Sequence, residues 1–299
     1  MDSTGNISID ELLQTTSRTF ALSIPLLPEP LNHEITLAYL VFRIADTLED
    51  ADYLTRDERQ LALDEFCELL DDLSSQKVDA WTLRWSARNM SANEDYNRLL
   101  REAPQVLGLV RELSDSSRQI VVQHAIRSAT GMSTVLSQAD SEGNLQLETL
   151  QQLRDYCYFV AGIVGELITE LFATSHCDEE EAAALNKHAA AFGEALQLVN
   201  ILKDADDDKV CGRAYQPSGI PRSEVFDLAY GDLRSAGRYV EALRSMNAPG
   251  GFIAFCDAPL QLAEATLRVV AEHGPGSKVS RDETFALLQQ VIERAGITP

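Results

Sequence analysis

Apolar residues recur at intervals of three and four along nearly the whole chain, and strict alternation over strand length is almost absent. One face of an α-helix repeats with this period, so the pattern predicts helix after helix and an all-α fold. Helix starts are indicated at Ser8, Thr55 and Ser280, each followed three residues later by a Glu that can complete a capping box. The predicted helices span residues 8–20, 31–51, 56–74, 92–112, 115–138, 147–175, 179–208, 222–247, 250–272 and 281–295.

The segments between these helices are short and rich in turn residues, such as GRAYQPSGIP at 212–221. None of them has the composition of an interdomain linker, and the chain shows neither a low-complexity tract nor a periodic repeat. With 299 residues and 45% apolar content, the chain can bury a sizeable core. The sequence therefore predicts a single helical domain over residues 1–299.

The chain is strongly acidic, with 25 Lys and Arg against 47 Asp and Glu and a formal net charge of −22. Such a surface repels the phosphates of nucleic acids and anionic lipid headgroups, so no nucleic-acid partner is expected. An anionic substrate would meet the same adverse field. Its site would have to reverse that field locally, with metal ions or clustered Arg and Lys.

Cysteine and histidine positions point to no zinc site and no disulfide framework, because CxxC and HxxxH pairs are both absent. The first residues, MDSTGNISIDELLQ, lack the apolar core of a signal peptide. We also find no run of roughly 20 uncharged apolar residues that would span a bilayer. We therefore expect a soluble, cytoplasmic, monomeric protein with no transmembrane segment, associated with membranes at most peripherally.

The first candidate site is the acidic motif DTLED at 46–50, which follows the apolar run LAYLVFRIAD. Asp46 and Asp50 are four residues apart and share one helix face, with Glu49 beside them. A solvated acidic face is the plain interpretation. The apolar residues that precede the motif favour a second interpretation, in which the carboxylates lie at the mouth of a cavity. Burial there would be costly unless a hard cation such as Mg²⁺ were bound.

The second acidic motif, DADDD at 204–208, ends a polar stripe on another predicted helix. Gln197, Asn200, Asp204 and Asp208 follow one another at steps of three and four residues. A solvated stripe or an acidic helix end is again the alternative. Two such motifs after apolar stretches favour a shared cavity, where Mg²⁺ bound to a diphosphate would neutralise the leaving group of an ionising allylic diphosphate.

Five segments together resemble the squalene and phytoene synthase family, and its squalene synthase branch most closely. The resemblance covers nearly the whole chain and is carried by TSRTFALSI at 16–24, YLVFRIADTLEDAD at 39–52, DYCYFVAGIVGELITELF at 155–172, LQLVNILKDADDD at 196–208 and FCDAPLQLAEATL at 255–267. It implies a helical bundle with a central active-site cavity. It also implies Mg²⁺-dependent joining of two farnesyl diphosphates to presqualene diphosphate, followed by NADPH-dependent rearrangement to squalene.

The resemblance also implies roles for individual residues. The magnesium ligands are expected to be Asp46, Asp50, Asp204 and Asp208, supported by Glu49 and Asp207. Six residues are expected to bind the substrate. Ser17, Arg18 and Arg43 would contact its phosphates, and Gln197, Asn200 and Lys203 lie on or beside the polar stripe of the second motif. Tyr39 and Tyr156 are expected at the reaction centre, with Tyr156 handling a proton or stabilising a cation. Aromatic candidates for shielding carbocations are Phe159, Phe172, Phe192, Phe252 and Phe255.

The nicotinamide step has weaker support in the sequence, because the chain has no GxGxxG fingerprint and no βαβ pattern. The segment KVSR at 278–281 matches the family's basic cluster, so Lys278 and Arg281 are the candidates for holding NADPH. Ser280 interrupts the usual run of charge, and two surface cations near a helix start remain the alternative. Lys203 stands where the family often has Arg, and Asp207 replaces the more usual Glu.

Two other functions are open at this point. A sister enzyme would stop at presqualene diphosphate, or would join the chains without reduction to give dehydrosqualene or phytoene. A non-catalytic helical scaffold would keep the fold without needing its acidic motifs.

Overall fold

The computed structural model describes residues 7–17, 19–51, 53–140 and 142–297, and most of them are helical. Its α-helices are α1 (Ile9–Thr16), α2 (Phe20–Ser23), α3 (Leu31–Glu49), α4 (Arg56–Asp71), α5 (Ser75–Trp81), α6 (Glu94–Arg101), α7 (Ala103–Glu112), α8 (Asp115–Leu136), α9 (Leu150–Cys157), α10 (Ile163–His176), α11 (Glu179–Val210), α12 (Arg222–Ser245), α13 (Gly250–His273) and α14 (Arg281–Arg294). A 3₁₀ turn spans Ile24–Leu26, and π-helical stretches span Thr82–Ser86 and Tyr158–Gly162. The predicted all-α class is confirmed.

The three predicted helix caps are formed. The hydroxyl of Ser8 accepts the Glu11 N–H at 3.1 Å, and that of Ser280 accepts the Glu283 N–H at 3.2 Å. At Thr55 the exchange is reciprocal, since the backbone N–H of Thr55 also donates to the carboxylate of Glu58. These contacts satisfy N–H groups of the first turn, which have no partner within their own helix.

Several predicted boundaries are wrong. The first helix ends at Thr16 because Ser17 is extended, with φ −130° and ψ 145°. The predicted helix 92–112 is two helices that meet at Glu102, and Pro104 lies in the first turn of the second. Proline has no N–H to donate into a preceding turn, which explains the break. The predicted helix 147–175 begins at Leu150 and changes to π geometry over Tyr158–Gly162.

Several elements were not predicted, among them the short helix α2 and the 3₁₀ turn that follows it. Residues 75–86 are helical and bury Val78, Trp81 and Trp85, although the sequence analysis leaves them between helices. Strands β1 (Leu145–Gln146) and β2 (Arg213–Ala214) form a two-residue parallel pair. The N–H of Leu145 donates to the Gly212 carbonyl at 2.9 Å, which fixes the position of Arg213 beside α3.

The longest helix, α11, packs against α10, α12 and α13. Two glycines allow the closest approach. A Cβ atom on Gly165 would lie 1.9 Å from the Ala189 carbonyl oxygen, and one on Gly193 would lie 1.9 Å from that of Ala161. Any larger residue at either position would push α11 away from α10 and from the π-helical stretch before it. Backbone contact therefore defines this wall of the bundle.

The helical stretch Leu150–His176 is the one described segment that is long and apolar enough to cross a membrane by length and composition, and half of its most apolar window is buried. Within the bundle, this stretch packs against α11 through Gly165 and contributes several residues to an internal cavity. Packing inside the protein therefore accounts for the buried half of this window.

Candidate active site

An apolar cavity with an empty volume of about 940 Å³, part of it open to solvent, lies between α3, α10, α11 and α13. Its walls are mostly aliphatic and aromatic, and its polar residues lie together on α3 and α11. The lining residues named in the sequence analysis are Tyr39, Arg43, Asp46, Phe192, Gln197, Asn200 and Phe255. Residues of the first acidic motif and of the second motif's polar stripe thus share one cavity.

A second, polar pocket adjoins the first motif, with an empty volume of about 490 Å³. It is lined by Arg43, Asp46, Thr47, Asp50, Ser91, Tyr96 and Arg213. Arg43 and Asp46 line both this pocket and the apolar cavity. The two spaces therefore adjoin at these two side chains, which lie at the boundary between an apolar and a charged compartment.

Burial dominates the electrostatics of the first motif. It raises the pKa of Asp46 to about 6; Arg43 acts in the opposite direction, and Asp50 adds to the rise. Arg43 Nη1 lies 3.3 Å from Asp46 Oδ2. Glu49 is only 5% exposed, and burial, followed by the charge of Asp50, raises its pKa well above the ordinary value. Burial thus makes the charged forms of Asp46 and Glu49 costly, and a bound hard cation would offset that cost.

Arg213 is a site residue that the sequence analysis missed. Its Nη1 lies 2.9 Å from Asp50 Oδ1, and its Nη2 donates to the Asp50 backbone carbonyl at 3.2 Å. The carboxylates of Asp50 and Glu49 help to raise the pKa of Arg213 and keep it charged. In the sequence, Arg213 is a basic residue shortly after the second motif. The segment that contains it, residues 212–221, has the composition of an ordinary turn, so nothing marks Arg213 as a site residue.

The second acidic motif approaches the first from α11. Burial raises the pKa of Asp208 to about 6, with Asp204 and Asp50 contributing and Arg213 opposing. Asp50 and Asp208 therefore interact, although they belong to different motifs. Lys203 Nζ lies 3.1 Å from Asp204 Oδ2 and donates to the Asn200 side chain at 3.2 Å. Asp207 is exposed, and Asp208 borders a neighbouring pocket.

Tyr156 lies behind the first motif rather than among the residues that line the apolar cavity. It is 4% exposed, and its ring stacks on that of Tyr215 with the centroids 4.4 Å apart. Burial raises the pKa of both phenols, and Glu49 and Asp50 add to the effect. Tyr215 was not predicted as a site residue either, because it is far from Tyr156 in the sequence and is placed beside it by the β1–β2 pair.

The aromatic candidates divide into two groups. Phe192 and Phe255 line the cavity, and Phe20 and Phe42, which were not predicted there, join them. Phe172 and Phe252 stack on each other behind it, with centroids 4.3 Å apart. Phe159 packs against Gly131 and is likewise not a lining residue.

The remaining predicted residues do not line the apolar cavity or the polar pocket, or they lie outside the described residues. Ser17 accepts the Phe20 N–H at 3.0 Å and so orders the start of α2. Arg18 lies outside the described residues. Lys278 and Arg281 are exposed. The loop before them contacts α11, since the Gly276 N–H donates to the Lys203 carbonyl at 2.7 Å.

The donors fit a hard cation. Among the described residues, no three acidic, His or Cys side chains converge closely enough to hold a metal ion by themselves. Mg²⁺ is usually held by one or two carboxylates together with substrate phosphates and water, so the carboxylates of the two motifs suit it when a diphosphate completes the ligand set.

Comparison with known proteins identifies the family of this chain. The sequence profile of the squalene/phytoene synthase family matches residues 13–224. The chain belongs to this family. It is 30% identical over 241 residues to the squalene synthase of Schizosaccharomyces pombe, a match covering 80% of this chain and 50% of that protein. It is 28% identical over 281 residues to the squalene synthase of Cyberlindnera jadinii, covering 88% and 61%.

This member of the squalene/phytoene synthase family thus spans half to three fifths of the length of those relatives. Among solved structures, TcSQS in complex with the ligand E5700 matches with a TM-score of 0.78 at 23% identity, over 96% of this chain and 88% of that one. A dehydrosqualene synthase in complex with a ligand matches with a TM-score of 0.63 at 21% identity, over 96% and 95%. These likenesses establish the isoprenoid synthase-type helical bundle.

Proposed function

We propose that this chain is a squalene synthase that joins two molecules of farnesyl diphosphate. The observation that carries the proposal is the junction at Arg43 and Asp46, where an apolar cavity meets a charged pocket. A farnesyl diphosphate has the same two parts, a long apolar chain and a compact polyanion. Family membership and the names of the curated relatives support the same substrate.

In the proposed reaction, the first farnesyl diphosphate loses its diphosphate, and the allylic carbon bonds to the double bond of the second molecule. Loss of a proton closes the cyclopropane of presqualene diphosphate. Mg²⁺ held by the aspartates of the two motifs would neutralise the departing diphosphate. Arg43 and Arg213 would add fixed positive charge in the polar pocket, which offsets the adverse field of an acidic protein.

The cavity walls would protect the cationic carbon. The rings of Tyr39 and Phe255 line the space that the allylic chain would occupy, and ring faces stabilise cations. The hydroxyl of Tyr39 donates to the Thr16 carbonyl at 2.6 Å, so its ring is held in place. Close backbone contact at Gly165 and Gly193 closes this wall of the cavity, which would shield the cationic carbon from water.

The reductive half of the proposal depends on Lys278 and Arg281. NADPH would supply the hydride that quenches the cation formed when presqualene diphosphate loses its own diphosphate. Two exposed cations suit the phosphates of a dinucleotide, and their loop touches α11 next to Asp204. Lys278 and Arg281 are not part of the cavity lining. For this reason we keep a second candidate function, coupling without reduction that ends at presqualene diphosphate or dehydrosqualene.

The test is a product assay with purified protein, farnesyl diphosphate and Mg²⁺, with and without NADPH. We expect squalene with NADPH and presqualene diphosphate without it. A K278A/R281A variant should lose squalene while still forming presqualene diphosphate. Dehydrosqualene or presqualene diphosphate as the sole product with NADPH would reject the reductive half, and no coupled product in any reaction would reject the proposed function.

A further inference from the structure

The guanidinium group of Arg43 lies over two tyrosine rings, which belong to two different helices. Arg43 Cζ is 5.5 Å from the centroid of Tyr39 and 5.6 Å from that of Tyr96. Both distances are within the range of about 6 Å in which a cation is attracted to a ring face. Tyr39 lies on the same helix as Arg43, whereas Tyr96 approaches from α6 and lines the polar pocket.

The segment that carries Tyr96 is held by a buried network. Asn97 is 2% exposed, and its Oδ1 accepts the N–H groups of Met90 at 2.9 Å and Ser91 at 3.0 Å. Its Nδ2 donates to the Ser91 carbonyl at 2.8 Å. Arg98 pairs with Glu11 at 2.8 Å and ties α6 to α1. The contacts of Asn97 and Arg98 therefore fix the backbone that carries the ring of Tyr96.

Arg43 has more donors than these contacts use. Its Nε donates to the Tyr39 hydroxyl at 3.3 Å, and its Nη1 lies 3.3 Å from Asp46. A guanidinium carries five N–H donors in a planar fork, so several remain for an anion. Tyr39 and Asp46 both belong to the same helix as Arg43, so the ring of Tyr96 adds the contact from a second helix. The two rings restrict it to the junction of the cavity and the polar pocket.

We propose that Tyr96 is a positioning residue for the diphosphate of the substrate. Its ring face fixes the Arg43 guanidinium so that the unused N–H groups meet the anion in the polar pocket. This inference rests on the proposed function only for the identity of the anion, since any diphosphate would be recognised in the same way.

The test compares Tyr96→Leu with Tyr96→Phe, which keeps the ring, and with Tyr230→Leu as a matched control. Tyr230 is a partly exposed tyrosine of α12 whose ring neighbour is Phe226. We expect Tyr96→Leu to raise the KM for farnesyl diphosphate roughly fivefold and to change kcat less than about twofold, because Arg43 holds the diphosphate before and during ionisation alike. Tyr96→Phe should restore the wild-type KM.

Calorimetric titration with inorganic pyrophosphate and Mg²⁺ separates this inference from the proposed function. A roughly fivefold weaker pyrophosphate affinity in Tyr96→Leu alone would support the role of Tyr96 even if wild-type protein formed no coupled product from farnesyl diphosphate. Unchanged KM and unchanged pyrophosphate affinity in Tyr96→Leu would overturn it. So would a fall in kcat at constant KM, because that pattern reports a loss of correctly folded enzyme.

Discussion

Arg213 makes two contacts with Asp50, one with its carboxylate at 2.9 Å and one with its backbone carbonyl at 3.2 Å. Asp50 caps the C-terminus of α3, where a carboxylate is opposed by the negative end of the helix dipole. The guanidinium offsets both the carboxylate and the helix terminus. It also connects the first acidic motif to the segment that follows the second.

Replacing Arg213 should damage the site in graded steps. Arg213→Lys keeps the charge but loses the planar fork that reaches both Asp50 oxygens, and we expect kcat/KM for farnesyl diphosphate to fall roughly tenfold. Arg213→Gln leaves the Asp50 carboxylate without its counter-ion, and we expect a fall of roughly a hundredfold. Arg234→Lys, at an exposed position of α12, is the control. Wild-type kcat/KM in Arg213→Gln would contradict this role.

The two acidic motifs should be needed for turnover and dispensable for folding. Asp50→Asn and Asp204→Asn each remove a carboxylate proposed to hold Mg²⁺, so we expect product formation to fall by a factor of about a hundred or more. Asp206→Asn, exposed on the same helix as Asp204, should remain active. Melting temperatures should stay close to wild type, because the repulsion relieved between neighbouring carboxylates offsets the loss of the ion pairs with Arg213 and Lys203. Full product formation in both site variants would contradict the role of these carboxylates, and unaltered cellular function in variants that form no product would favour a non-catalytic scaffold.

Much of this site could be predicted from periodicity, and part of it could not. The Asp46–Asp50 face and the Gln197–Asp208 stripe follow from helix geometry, since residues three and four apart lie on one face. Arg213, by contrast, reaches Asp50 across 163 residues through the β1–β2 pair, and Tyr96 reaches Arg43 through the support that Asn97 provides. Two-residue strands and side-chain networks leave no periodic trace in a sequence.

The helix boundaries show the same division. Strong caps at Ser8 and Thr55 made their starts predictable. The π-helical stretch at Tyr158–Gly162 could not be anticipated, because its apolar residues continue the pattern of an ordinary helix. Its register depends on contacts with other helices, such as the hydroxyl of Ser128 donating to the Phe159 carbonyl at 2.7 Å.

The contact between α10 and α11 predicts a steric effect on stability. Gly165→Ala and Gly193→Ala would each place a methyl group 1.9 Å from a backbone carbonyl oxygen of the facing helix. We expect each to lower the free energy of unfolding by roughly 3 kcal/mol. Gly237→Ala on α12 meets nothing within 4 Å and should raise it by about 0.5 kcal/mol. Chemical denaturation measures the free energy of unfolding of all three variants. Equal stability of the Gly165, Gly193 and Gly237 variants would contradict the close backbone approach at the first two positions.

The buried pair of Glu194 and Asp232 predicts how stability varies with pH. Burial raises the pKa of Glu194 to about 7, Asp232 adds to the rise, and Arg154 opposes it. Burial also raises the pKa of Asp232. A carboxyl whose pKa is higher in the folded than in the unfolded state binds more protons when folded. The free energy of unfolding should therefore decrease as pH rises between the two pKa values, by roughly 2 kcal/mol from pH 5 to 8.

Glu194→Gln isolates this contribution, because an amide cannot ionise. We expect its stability to depend less on pH over that range and to exceed that of wild type at pH 8. Glu241→Gln, exposed on α12, serves as the control. Denaturation curves at several pH values provide the measurement, and a wild-type pH profile in Glu194→Gln would contradict the assignment.

If the site ionises farnesyl diphosphate and couples two of its molecules, as we propose, the amount of pyrophosphate released for each substrate molecule consumed will show it. With Mg²⁺ and NADPH we predict about one pyrophosphate for each farnesyl diphosphate, because both diphosphates of a coupled pair depart. Without NADPH we predict about half of that amount, because presqualene diphosphate retains one. No Mg²⁺-dependent release of pyrophosphate, or release accompanied only by farnesol, would contradict the account.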